Sequence, residues 1–280
     1  MLADYHVHSI FSDDSSYPME EVCRDAVRLN LDEICFTDHV DYGVKPDHDA
    51  PDGARIENGL PVTNVDYRHY FPEVARVQEE FADELVVRCG MEFGVQVHTE
   101  PQFDRLYEAH KEQWDFLILS IHQVADLEFW MGDFQEGRTQ KEYNDAYYQE
   151  LYDVVRSFDH YSVLGHLDLI KRYDPAGAYP FEATRDIVAA ILERVIASGK
   201  GIEVNTSSFR YGLADLQPCT EILRLYHDLG GRIVTIGSDS HKPAHLGAYI
   251  RLVQRRLAAL GYTEFCTFDH MEPTFHPLEA

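Results

Sequence analysis

Close to the start of the chain, Asp4-Tyr5-His6-Val7-His8-Ser9 sets two imidazoles two positions apart. Tyr5 and Val7 alternate with His6 and His8, the period of a β-strand, so both rings leave the same face of the backbone. Two neutral imidazoles on one face can grip a single cation together. Asp13 and Asp14 follow in a Ser-rich loop, from which a carboxylate can return to the same place. A hydrogen-bonded histidine pair at a strand end would satisfy the motif equally well, so a metal centre needs further ligands from elsewhere in the chain.

Such ligands are present. His39, Glu92, His122, His166, Asp239 and His241 each fall within or just beyond the C-terminal half of a stretch that reads as a strand. In a parallel barrel those ends gather on one face, where active sites are built. Singly, each residue has a milder explanation: a histidine hydrogen-bonds, Glu92 lies on the surface, Asp239 caps a turn. The conjunction is harder to explain that way. Buried, unpaired imidazoles and carboxylates are expensive, and divalent cations satisfy both types at once. The set exceeds what one tetrahedral ion can use, which predicts two or three clustered cations and a bridging carboxylate. Nitrogen and oxygen donors without thiolate suit Zn, Mn or Fe rather than Ca or Mg. Clustered ions of this kind activate water and clamp both ends of a phosphoryl displacement.

The elements that must position these residues follow from periodicity. Helical patterns span 18–30, 70–81, 103–113, 139–157, 182–198, 219–229 and 244–260. Between them lie the apolar runs 33–37, 86–95, 116–121, 161–165, 201–205 and 233–237, which with the first strand make seven. Seven strands alternating with seven helices imply parallel strands joined by right-handed crossovers, in a closed or nearly closed barrel. The segment 40–64 is polar, rich in Pro, Gly and Asp and without periodicity, which marks a functional loop. No repeat and no composition shift divides the chain, so one domain over 1–280 is expected. The tail after Gly261 has no assigned role.

At 280 residues the chain suits one barrel of roughly 250 residues. Its 24 Lys and Arg against 49 Asp and Glu give a formal charge of −25, which repels nucleic acid and anionic membranes. The five cysteines are widely spaced with no CxxC pair, and read as reduced thiols of a cytoplasmic protein. No leader precedes the first strand, and the most apolar helix, 187–197, contains Glu193 and Arg194 and is too short for a bilayer. A soluble cytoplasmic protein follows; oligomeric state is left open.

The motifs His6-Val-His8-Ser, Thr37-Asp38-His39, Gly90-Met-Glu92, Ser120-Ile-His122, Gly165-His166-Leu-Asp168 and Gly237-Ser-Asp239-Ser-His241 resemble, in order, those of the PHP (polymerase and histidinol phosphatase) family. The resemblance runs from Asp4 to about Leu260. It implies an α/β fold, a distorted (β/α)7 TIM-like barrel, with three divalent transition-metal ions. Carried over motif by motif, His6, His8, Glu92 and Asp239 would hold the first ion. Glu92 would bridge to a second held by His122 and His166, and Asp14, His39 and His241 would hold the third. Asp14 stands where the wider family often has His.

Within the family the likeness is to the histidinol-phosphate phosphatases, carried by the phrases at 65–71, 165–173 and 203–210. This implies a metal-dependent phosphomonoesterase acting on a small phosphate ester, with Glu92, Asp239 and His241 at the reacting centre. Arg172 and Arg210 follow strand ends and are candidate phosphate clamps, because Arg matches phosphate bidentately; surface ion pairs are the alternative. Lys171 is the substitute should Arg172 point outward. Asp41, in the 40–64 loop with Asp47, Asp49 and Asp52, is the candidate partner for a substrate ammonium. A PHP phosphoesterase for nucleotides or phosphotyrosine, and a non-catalytic PHP module, are the rival functions. The latter should show eroded ligands, whereas every motif here is filled.

Overall fold

A computed structural model describes residues 1–57 and 59–278; Asn58, Glu279 and Ala280 lie outside the described residues. Seven parallel strands form its centre: β1 (Ala3–Val7), β2 (Glu33–Phe36), β3 (Val86–Gly94), β4 (Phe116–Ser120), β5 (Val163–Leu164), β6 (Gly201–Asn205) and β7 (Val234–Gly237). They pair in chain order, and His39–Val40 adds a short extension beside β3. The ring is joined where Val7 pairs with Ser240, through His8 N–H to Ser240 O (2.8 Å) and Ser240 N–H to His6 O (3.1 Å). The expected barrel is therefore the one observed.

Among the described residues seven α-helices surround it: α1 (Met19–Arg28), α2 (Tyr67–Glu80), α3 (Glu100–His110), α4 (Gln140–Ser157), α5 (Phe181–Ala197), α6 (Thr220–Asp228) and α7 (Ile250–Ala259). Strands such as β4, Phe-Leu-Ile-Leu-Ser, are buried along their whole length because helices cover them outside and side chains fill them inside. The helices are amphipathic; α4 buries Tyr143, Tyr147, Leu151 and Val154 and starts on a capping box between Thr139 and Glu142. The last helix starts at Ile250 and not at 244, since Gly247 (φ 66°) and Tyr249 (φ 63°) adopt left-handed conformations that end any earlier helical turn.

The tail after Gly261 forms an antiparallel hairpin, β8 (Glu264–Asp269) and β9 (Glu272–Pro277), under the barrel. Tyr5 Oη accepts the Phe268 N–H at 2.7 Å and donates to Glu33, while Asp115 accepts the His270 N–H at 3.2 Å. The hairpin thus packs below the strands and away from their C-terminal ends. Among the described residues no helix is long and apolar enough to cross a membrane.

Candidate metal centre

The C-terminal ends of the strands converge on a cavity of about 530 Å³. Glu92, at the end of β3, sits at its floor with 1 % exposure. Its Oε2 lies 3.1 Å from His6 Nε2, 3.6 Å from His8 Nε2 and 3.0 Å from His39 Nδ1. Its Oε1 lies 3.1 Å from His122 Nε2 and 2.8 Å from His166 Nε2. One carboxylate thus faces five imidazoles, three through one oxygen and two through the other.

Asp239 follows β7 in a left-handed conformation (φ 56°). Its Oδ1 stands 3.6 Å from His8 Nε2, 4.0 Å from His6 Nε2 and 3.5 Å from His241 Nδ1. A third cluster lies nearer the mouth: Asp14 Oδ2 is 3.1 Å from His241 Nε2 and 3.7 Å from His39 Nε2, and the two imidazole nitrogens are 3.4 Å apart. His8 is sandwiched between His39 and His241, with ring centroids at 4.2 and 4.0 Å.

His122 and His166 hydrogen-bond to Glu92 Oε1, but the contacts at its Oε2 are close without being hydrogen bonds. His6 Nε2, His8 Nε2, His39 Nδ1 and Glu92 Oε2 are all buried with no hydrogen-bond partner. Orphaned donors and acceptors at 3–4 Å from one another, on a buried floor, fit cations lying between them. The donor set is nitrogen and oxygen only; no cysteine lines the cavity. Four overlapping trios have their ligand atoms within 4.8 Å: His6-His8-Glu92, Glu92-His122-His166, His8-His39-His241 and His39-Asp41-His122.

A layer behind the imidazoles fixes their orientation. Glu203 Oε1 meets His6 Nδ1 at 2.5 Å, Ser12 Oγ meets His8 Nδ1 at 3.1 Å, and Asp41 Oδ1 meets His122 Nδ1 at 2.7 Å. Each contact leaves Nε2 turned to the centre, the arrangement that makes a histidine a good ligand. Two glycines make room for it. A Cβ on Gly94 would stand 1.9 Å from Asp41 Oδ1, and one on Gly237 would stand 2.5 Å from Glu203 Oε1.

Charge follows the same plan. Burial opposes ionisation of Glu92, yet His6, His122 and His39 hold its carboxyl well below the usual range. Burial likewise opposes charge on Asp239, which His6, Arg210 and Arg172 overcome. Burial and the flanking imidazoles of His241 and His39 push His8 down, leaving it neutral with a free lone pair.

The description "PHP domain" matches residues 4–207 as a family model. The chain belongs to the PHP domain family. The histidinol-phosphatase of Lactococcus lactis is 30% identical over 272 residues, covering 96% of this chain and 95% of that protein. A probable histidinol-phosphatase of Thermotoga maritima is 27% identical, covering 96% of both chains. The solved histidinol phosphate phosphatase of Lactococcus lactis, complexed with zinc, L-histidinol and phosphate, superposes with TM-score 0.82 at 29% identity, covering 98% of each chain.

Against the expected PHP site, the structure brings His6, His8, Asp14, His39, Glu92, His122, His166, Asp239 and His241 together in one cavity or its floor. Arg172 and Arg210 also line it. Arg172 Nη1 is 3.5 Å from Asp239 Oδ2, and its Nη2 donates to Ser207 Oγ (2.5 Å) and Gln217 Oε1 (2.7 Å). Arg210 donates to the carbonyls of Ser238 (2.7 Å) and Asp239 (2.5 Å).

Of the other expected substrate contacts, Asp41 is engaged from within the protein and Lys171 is corrected. Asp41 lines the cavity but is buried, with one oxygen on His122 and the other 3.0 Å from Lys45 Nζ, so both of its oxygens are already engaged by the protein. Lys171 does not line the cavity: it pairs with Asp168 at 2.6 Å and donates to the Leu216 carbonyl, because the 3-10 turn Leu169–Tyr173 sends it outward and Arg172 inward. Asp47, Asp49 and Asp52 do not line the cavity either.

Several residues of the cavity and of the layer behind it were not singled out from sequence. Glu203 sits mid-strand in β6, where its inward direction is the only signal. Lys45, buried between Asp13 (2.7 Å) and Asp41, reads in sequence as an ordinary loop lysine. Glu57, Trp130 and Tyr211 line the wall of the cavity from three different loops.

Proposed function

We propose that this protein is a metal-dependent phosphomonoesterase that hydrolyses L-histidinol phosphate to L-histidinol and phosphate, a step of histidine biosynthesis. What carries the proposal is the pairing of the Glu92-centred imidazole cluster with two cavity-lining arginines in a chain matched end to end by histidinol-phosphatases. The whole chain serves as one phosphoesterase domain in the cytoplasm, with a small phosphate ester as its partner and neither nucleic acid nor membrane.

His6, His8, Glu92 and Asp239 would hold one ion, His122, His166 and Glu92 a second, and Asp14, His39 and His241 a third. Zn is the first choice on donor type and on the relative solved with zinc, with Mn and Fe as alternatives. Such ions supply Lewis-acid charge and activation of water at neutral pH. The protein does the rest. Arg172 and Arg210 bind phosphate oxygens and hold phosphorus over the centre, where charge builds up as the ester bond breaks. Glu203, Ser12 and Asp41 keep three imidazoles in the tautomer the centre needs.

The alcohol side of the ester meets the opposite wall. Arg55 is bound 2.6 Å from the buried Glu128 and 2.7 Å from Glu57, so one cation faces two carboxylates and the wall carries net negative charge. Glu57, half exposed in the 40–64 loop, and the indole of Trp130 suit an ammonium and an imidazole respectively. The deciding experiment compares kcat/KM for histidinol phosphate, nucleoside monophosphates and an aryl phosphate in the metal-loaded protein. A preference of at least tenfold for histidinol phosphate is expected; equal values would defeat the assignment.

A further inference from the structure

We infer that Tyr211 is a positioning residue whose single ring unites Arg172 and Arg210 into one phosphate clamp, an inference that rests on the phosphatase reading above. The Arg172 guanidinium carbon lies 4.2 Å from the Tyr211 ring centroid and that of Arg210 lies 5.4 Å from it. Both distances fall within the reach of a cation–π contact. Both guanidiniums also stand near the same oxygen of Asp239, at 3.5 and 3.6 Å, and two like charges gathered at one oxygen repel each other. Asp239 faces the imidazole cluster with its other oxygen, so it cannot be the sole neutraliser of both arginines. The electron-rich face of Tyr211 offsets the remaining repulsion without placing another acid beside the phosphate.

The surroundings fit a ligand-directed role. Tyr211 is 50% exposed and lines the cavity, so the core does not require its ring. Arg172, by contrast, is buried, held from behind by Ser207 and Gln217, and its Nε has no hydrogen-bond partner. A buried guanidinium N–H with nothing to donate to awaits an acceptor, and a phosphate oxygen is the acceptor this cavity is proposed to receive. Tyr211 fixes the plane in which that guanidinium waits.

The test uses the metal-loaded protein with inorganic phosphate as competitive inhibitor. Tyr211→Leu should raise the phosphate inhibition constant and the KM for phosphate esters by roughly three- to thirtyfold, leaving metal content and melting temperature unchanged. Tyr211→Phe, which keeps the ring face, should restore both constants to within about twofold of the parent. In an Arg172→Ala background Tyr211→Leu should add less than about twofold, since the repulsion that the ring offsets is already gone. Unchanged constants in Tyr211→Leu, no rescue by Phe, or full independent effects in the double variant would each overturn the proposal. Should Arg172→Ala and Arg210→Ala themselves leave phosphate inhibition unaltered, the clamp assignment fails first, and Tyr211 with it.

Discussion

Asp239 stands between two kinds of partner: its Oδ2 is 3.5 Å from Arg172 Nη1, while its Oδ1 is 3.6 Å from His8 Nε2. One carboxylate therefore joins Arg172 to the imidazole cluster. A phosphate bound by Arg172 would, through this single side chain, be held in register with whatever the imidazoles bind.

Arg172→Ala should lower kcat/KM for phosphate esters by about one to two decades, the worth of roughly 1.5–3 kcal/mol for a charge-assisted contact. Metal content should stay at the parental level, and Lys171→Ala, altered one residue away, should leave kcat/KM as it was. Steady-state kinetics with elemental analysis checks both; metal loss in Arg172→Ala would make it a structural residue.

Glu92→Gln should be the most damaging single change in the cluster, because its two oxygens face different imidazoles, three through one and two through the other. More than one ion per chain is expected in the parent. The variant should lose at least one of them and about two decades or more of activity. An ICP measurement showing parental stoichiometry in the variant would remove Glu92 from its bridging place.

Asp41→Asn should weaken metal binding by roughly 10–100-fold through its loosened hold on His122. Histidinol phosphate and an aryl phosphate should suffer alike at limiting metal, and excess metal should recover both. A loss confined to histidinol phosphate would return Asp41 to the substrate.

Glu57→Gln separates specificity from chemistry. KM for histidinol phosphate should rise by about tenfold, the worth of one charge-assisted contact, while hydrolysis of an uncharged aryl phosphate stays within twofold. Equal losses on both esters would show that the wall of the cavity does not select the alcohol.

The metal-free protein should become less stable as pH rises. Burial alone lowers an imidazole's pKa, but Glu92 and Asp41 outweigh it and lift His122 from 6.5 to about 9. His6 and His39 are raised in the same direction, against burial, by Glu203, Asp14 and Glu92. A raised native pKa means the folded form holds protons that the unfolded form releases. The His122 contribution is complete below pH 6.5 and is lost as pH climbs through about 9. Urea midpoints of chelator-treated protein should fall across that range, whereas metal affinity should rise as the imidazoles deprotonate. Flat midpoints would contradict the electrostatic account of the cluster.

The ligands were legible because each sits at a strand end, and a parallel barrel brings strand ends together whatever the details of its helices. His6 and His8 needed only the two-residue period; His122 and His166 needed only the end of an apolar run. Glu203 was hidden for the same reason: an acidic residue inside a strand announces no partner until β6 is seen beside β7, with β1 across the joint beyond it. Lys171 was misplaced by sidedness, and the partners of Asp41 were hidden. A lysine next to an arginine looks interchangeable with it in sequence, but a 3-10 turn gives the two opposite directions, and the buried Lys45 that engages Asp41 gives no sequence signal. The hairpin of β8 and β9 lacked a sequence signal strong enough to separate it from an unstructured tail.

The joint between β1 and β7 has a consequence for how the molecule is assembled. Asp4 bonds the N–H of Ser238 across 234 positions of sequence, and Val7 pairs with Ser240 at the same joint. His6 and His8 lie on one side of that joint and Asp239 on the other, so an ion gripped by all three is a cross-link between the two ends of the barrel chain. Like a disulfide closing a very long loop, it would deprive the unfolded chain of conformations. The catalytic cluster is thereby also the clasp of the ring, and a ribosome must deliver nearly the whole barrel before the clasp can shut.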